Sequence, residues 1–196
     1  MRTHLIMTAL AALLLSSACS HTQQIAQPAE QAPLVVAGST LVYAASFMGT
    51  PYELRVHVEE NAPELALNWQ MLGPFESAGR LHVTDAGLRD SLALDDRLRR
   101  GDHLDLDACS FRLSDRAFTD LVENDEVSLS IDGNQPTTFN VMRKYERSFV
   151  RGDGEQLAEV LVAQSSGMWF TVVNDKSAPF IVSQNLGFQS ELRAVE

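Results

Sequence analysis

Tyr52-Glu53-Leu54-Arg55-Val56-His57-Val58-Glu59 alternates without a break. Tyr52, Leu54, Val56 and Val58 fall on one face, and Glu53, Arg55, His57 and Glu59 on the other. A period of two marks a strand with one face buried and one in water. Upstream, Thr40 to Phe47 (TLVYAASF) is an apolar run ended by Gly49-Thr50-Pro51. Downstream, Asn61-Ala62-Pro63 turns the chain, and Glu64 to Leu72 follows with Leu65, Leu67, Trp69 and Met71 inward. Alternating neighbours joined by a short polar turn predict an antiparallel pair.

The same grammar continues to the C-terminus. Arg80 to Thr84 reads as a short strand, Asp85 to Leu94 as one or two helical turns, and Asp95 to Asp102 as a charged surface loop. His103 to Leu113 reads as strand again. Ser114 is placed to cap a helix over Asp115 to Val122, with Ala117, Phe118, Leu121 and Val122 on its apolar face. Glu126 to Asp132 and Thr137 to Met142 flank a Gly133-Asn134 turn and predict a hairpin. Arg143 to Val150 continues that strand or restarts one, and Glu155 to Gln164, Met168 to Val173, Phe180 to Ser183 and Leu186 to Val195 complete the strands, with Gly187 expected to mark a bulge. About ten strands with one or two short helical insertions predict an all-β, antiparallel sandwich or barrel. Residues 34–196 form a single β-rich domain long enough to bury its own core.

Residues 20–33 (SHTQQIAQPAEQAP) are rich in Gln, Ala and Pro and carry one branched apolar residue, so they read as linker. Before them, Leu5 to Leu15 is an apolar run of eleven residues behind Met1-Arg2-Thr3-His4. As a helix it spans about 16 Å, roughly half of the ~30 Å hydrocarbon core. Residues 1–18 therefore read as a removable signal peptide rather than a membrane span.

The close of that leader, Ser16-Ser17-Ala18-Cys19, resembles the lipobox of bacterial lipoproteins. The resemblance implies acylation of the Cys19 thiol, cleavage on its N-terminal side, and a lipid anchor (the palmitate type) in the cell envelope. With Ser20 rather than aspartate after the cysteine, it implies the outer membrane facing the periplasm. Ser16 stands where the family usually has leucine, with Leu15 one place earlier. The alternative is ordinary cleavage after Ala18, leaving a soluble periplasmic or secreted protein with a free Cys19.

A second resemblance lies in the domain. The order Leu113-Ser114, Arg116-Ala117-Phe118, Leu121, Asp132-Gly133, and later Pro179, Ile181, Leu186-Gly187-Phe188 and Leu192 is similar to a loosely defined set of uncharacterised bacterial secreted domains. Phe180 and Val182 stand where those have leucines. The matching positions are strand, cap and turn residues, so the resemblance implies an exported β-domain and brings no site with it.

Composition narrows the partners. The chain has a formal net charge of -11, and loss of Arg2 with the leader makes it -12. Nucleic acid and anionic surfaces select for basic patches, so this charge argues against nucleic acid. The two cysteines, Cys19 and Cys109, give neither a disulfide framework nor metal-ligand spacing, and no cofactor motif occurs. Asp102, Asp105 and Asp107, with Asp95 and Asp96, form an acidic run whose oxygen ligands suit calcium. Its alternative is a charged edge that resists strand-to-strand aggregation. Arg143, Lys144, Arg147 and Arg151 are the one basic cluster, suited to an anionic headgroup or glycan, or to pairing with the surplus acids. His57, His82 and His103 stand outside any catalytic motif.

These readings lead to an envelope-anchored lipoprotein whose non-catalytic β-domain binds a protein partner or an apolar or amphiphilic ligand. Trp69, Trp169, Phe170 and Phe180 are the candidate wall residues for such a ligand. The alternative is an envelope hydrolase with a non-contiguous active site that uses one of the histidines.

Overall fold

The opening alternation becomes a strand, β2 (Thr50–Glu60), whose Tyr52, Leu54, Val56 and Val58 are buried while the residues between them reach solvent. The computed structural model describes residues 32–74, 76–95, 97–98, 100–105 and 107–196, the side chains of 103–105 excepted. Among these, β1 (Thr40–Phe47) pairs antiparallel with β2 through a tight turn at Met48-Gly49. β3 (Leu65–Leu72) and β4 (Ser77–Val83) extend the meander. A short helix, α1 (Asp85–Asp90), is capped by the Thr84 hydroxyl, which accepts from Gly87 N at 3.3 Å.

The segment read as a charged loop and then a strand departs from that reading. β6 (Gly101–Asp105) lies within it, Asp107 and Ala108 are outside any strand, and β5 (Ala93–Leu94) closes the stretch read as helical turns. Cys109 and Arg112 make only isolated bridges, to Leu94 and Phe180. β6 pairs parallel with β4, and β5 pairs parallel with β7 (Glu126–Ile131). Between β6 and β7, α2 (Asp115–Asn124) starts where the sequence places it. The Ser114 hydroxyl accepts from Ala117 N at 3.0 Å, and Ala117, Phe118 and Leu121 are buried.

Then come β8 (Thr137–Arg151), β9 (Gly154–Gln164), β10 (Trp169–Val173), β11 (Ile181–Asn185) and β12 (Gln189–Val195). The fold is all-β with two short helices. Its twelve described strands follow the order β5-β7-β8-β9-β10-β11-β12-β1-β2-β3-β4-β6. Of the two readings open at Arg143, continuation holds: the stretches on either side of Met142 are one strand, β8, whose register slips between Val141 and Arg143. Gly187 lies in the turn between β11 and β12 rather than at a bulge.

The far end of β8 pairs parallel with β12 at Val150 and Arg151. That contact closes β8 to β12 into a five-stranded ring, with β1 to β4 and β6 extending from the outer side of β12. One continuous apolar core, including Tyr43, Leu54, Phe139, Leu161, Phe170 and Phe180, joins both arms of the sheet.

Candidate functional site

A cleft of about 340 Å³ opens at the end of the sheet where β1 turns into β2. Its walls are Phe47 of β1, Tyr52 of β2, Met71 of β3, Leu98 from the segment after β5, and Phe188 from the β11–β12 turn. Gly187 also lines it. Arg97 and Asp132 form the polar rim, 3.5 Å apart, and Arg97 also bonds the buried Asp95 at 3.1 Å. This ion-paired arginine ties the loop carrying Leu98 to the β7–β8 turn.

Beside the cleft, Phe47 is 47 % exposed and Met48 89 % exposed. Met48 and Gly49 both have positive φ, 50° and 80°. A two-residue hairpin of this kind favours Asn-Gly, and a methionine in the left-handed region is strained. Turn stability therefore does not account for Met48. A strained, exposed, flexible apolar side chain next to an apolar groove is what a docking surface uses.

The aromatic residues taken from the sequence as a ligand wall are not gathered around a cavity. Trp69, Phe170 and Phe180 are buried at 3 %, 0 % and 0 % exposure in the core, with Phe170 tilted against Phe139 at 5.2 Å. Trp169 is half-buried on the opposite face of β10 and borders two shallower pockets. Of the acidic run, Asp102 and Asp107 are exposed, and the side chain of Asp105 lies outside the described residues. Among the described residues no three His, Cys, Asp or Glu side chains gather at metal-binding distance. Cys19 also lies outside the described residues.

His57 and His82 share the polar face of the sheet. His57 Nδ1 lies 3.1 Å from the Thr40 hydroxyl, and His82 Nε2 lies 3.0 Å from Glu64. Neither has both a hydroxyl and a carboxylate in contact among the described residues. In the basic cluster, Lys144 pairs with Asp125 at 3.5 Å and Arg147 with Glu191 at 3.1 Å, while Arg151 donates to Gln156 and to Pro33 O. Arg143 is the exception and stacks on Tyr145 at 4.9 Å.

Two buried groups with displaced pKa values serve packing. Burial holds the Tyr43 phenol well above its usual range while its hydroxyl donates to Ile181 O at 2.8 Å. Burial lowers Arg112, with Asp115 opposing the shift. Its guanidinium donates to Asn61 O at 2.7 Å, to Asn61 Oδ1 at 2.6 Å and to Asp115 at 3.2 Å, pinning the β2–β3 turn to the start of α2.

No protein-family model, curated protein or solved structure gives a significant match to this chain. The functional reading therefore rests on geometry and chemistry. Sequence reasoning missed the cleft because its five apolar walls come from separate strands and turns. The one local signal was Phe47-Met48, two apolar residues run into a glycine turn.

Proposed function

We propose that this chain is an envelope lipoprotein, anchored through lipid on Cys19 to the outer membrane on its periplasmic side, whose β-domain is a non-catalytic docking module related to other exported β-domains. The cleft beside Met48 receives apolar side chains of a partner protein. The carrying observation is a knob next to a groove: Met48 projects almost fully into solvent beside a pocket walled by Phe47, Tyr52, Met71, Leu98 and Phe188. Buried apolar anchors of this size dominate protein interfaces.

Position supports the reading. The chain enters the domain at Ala32-Pro33, whose carbonyls accept from Gln156 and Arg151. Arg151 is paired with Val195, and Val195 with Leu41, near the start of β1. The cleft is at the other end of that eight-residue strand, about 23 Å away at the usual rise per residue. The entry point and the cleft therefore lie toward opposite ends of β1.

The second reading, an amphiphile in the same cleft, draws support from a volume within the range of small-ligand pockets. Photo-crosslinking from position 48 in intact envelopes separates the two. The expected result is one discrete protein adduct that vanishes with Phe188→Glu and is not formed from Leu157, an exposed position on β9 outside the cleft. A lipid adduct selects the amphiphile, and no adduct ends both readings. Mass spectrometry of the mature N-terminus tests the anchor, which an unmodified Cys19 rules out.

A further inference from the structure

The five-stranded ring holds a second pocket, of about 340 Å³, and every strand of the ring contributes to it. The register places Arg143 and Tyr145 of β8, Trp169 and Thr171 of β10, Ser183 of β11 and Glu191 of β12 on one common face. Since all of them line one concavity, that face is the inner wall of the ring. Thr171 and Ser183 are 3 % and 6 % exposed, and their hydroxyls have no hydrogen-bond partner among the described residues. Nor are they sealed in dry packing, because the one described buried side-chain atom without a partner is Arg112 Nε. Both hydroxyls therefore open on the pocket. Buried polar groups left unmatched in this way mark a place where a ligand or water supplies the partner.

The pocket lining carries one cation, Arg143, and one anion, Glu191, in a chain of net charge -11. Glu191 is held between Arg147 at 3.1 Å and Arg193 at 3.2 Å, so its negative charge is more than matched. Arg143 stands at the rim with no carboxylate in salt-bridge reach among the described residues, resting on the Tyr145 ring. A guanidinium fixed by stacking keeps its fork of donors available for a carboxylate or phosphate. Trp169 supplies a half-buried aromatic wall with one apolar face and one N–H donor.

We propose that the mouth of this ring is a binding site for a small anionic sugar. Its acid group pairs with Arg143, its ring lies against Trp169, and its hydroxyls complete Thr171 and Ser183. The same chemistry is met in a free sugar acid or phosphate and in the terminal residue of an acidic glycan. This site is separate from the apolar cleft, so either can fail alone.

The test titrates the full mature chain and follows the two tryptophan indole N–H signals by NMR, with Trp169→Phe assigning them. Galacturonate and galactose 1-phosphate are expected to shift the Trp169 signal saturably, and galactose to bind at least about tenfold more weakly. Arg143→Gln is expected to bring the anions down to the level of galactose. Thr171→Val is expected to weaken both anions by about tenfold, because a ligand hydroxyl then loses its partner. An unchanged or higher melting temperature of that variant excludes misfolding as the cause. Tighter binding of tetragalacturonate than of the monomer identifies a glycan as the source, and equal binding a free sugar. Equal affinity for galactose and galacturonate, an Arg143→Gln variant that binds as before, or no saturable shift up to about 10 mM overturns the proposal.

Discussion

At the scale of single residues, Tyr43 gives the clearest pH signature. Its ring packs 5.9 Å from Phe111 and its hydroxyl is satisfied by Ile181 O, so the neutral phenol is the form that fits. Burial raises its folded pKa well above the unfolded value of about 10. Its contribution is therefore complete below pH 10 and drains away as pH rises further, since only the unfolded chain releases the proton. Between pH 8 and 11 this one group lowers the unfolding free energy by about 1.4 kcal/mol. Urea unfolding at pH 8 and 11 should show that component in the wild-type chain and not in Tyr43→Phe. The variant itself costs about 1 kcal/mol at neutral pH, because Ile181 O loses its donor. Equal pH slopes in the two proteins would contradict the assignment. Thr171 points the other way. With its hydroxyl opening on the pocket, where water can partner it, Thr171→Val should leave the melting temperature of the unliganded domain unchanged or slightly higher, a difference within about 0.5 kcal/mol. A lower melting temperature would mean that the hydroxyl is matched within the fold.

The secondary elements follow from local physics where one face of an element is buried. β2 and α2 are legible because Tyr52 to Val58 keep a strict period of two, and because Ser114 supplies the cap three residues before Ala117 N. The same period of two explains the misplaced ligand wall. Trp169 and Phe170 are consecutive on β10, so they point to opposite faces and cannot line one cavity. The sequence leaves open whether the strand continues past Met142, because the slip between Val141 and Arg143 interrupts the alternation while hydrogen bonding to β9 continues on both sides. The β1–β2 turn is where local preference and observed residue disagree, and such disagreements concentrate at functional places. Met48 is 89 % exposed, so Met48→Asn removes no packing and relieves left-handed strain. It should stabilise the domain by about 1 kcal/mol in a urea melt while abolishing capture of the partner at the cleft. A Met48→Asn chain that still engages its partner normally would leave the residue without its proposed role.

For the whole molecule, the decisive contact is one that sequence patterns do not carry. The ring closes where Val150 and Arg151 meet Ala194 and Val195, a parallel pairing between segments more than forty residues apart. Alternation assigns faces to strands, but it does not say which distant strands become neighbours. That closing corner is also where residues 32–35 pack. Pro33 O accepts from Arg151 at 3.1 Å and Ala32 O from Gln156 at 2.6 Å, and the next two residues, Leu34 and Val35, are buried at 2 % and 1 % exposure. These four residues latch the N-terminal end of the described chain to the ring. Burying a leucine and a valine contributes about 3–6 kcal/mol, a large share of the roughly 5–15 kcal/mol of a typical domain. A chain beginning at Val36 should therefore melt about 10 °C below one beginning at Ala32. The loss should be local first, because Arg151 gives up one of its partners just where it meets Val195. Amide exchange at Ala194 and Val195 should accelerate in the shorter chain while the β2–β3 amides stay protected until global unfolding. Equal melting temperatures for the two truncations would show that Leu34 and Val35 add nothing to the core. Uniform acceleration of exchange would show that the latch serves the domain as a whole rather than the closing corner of the ring.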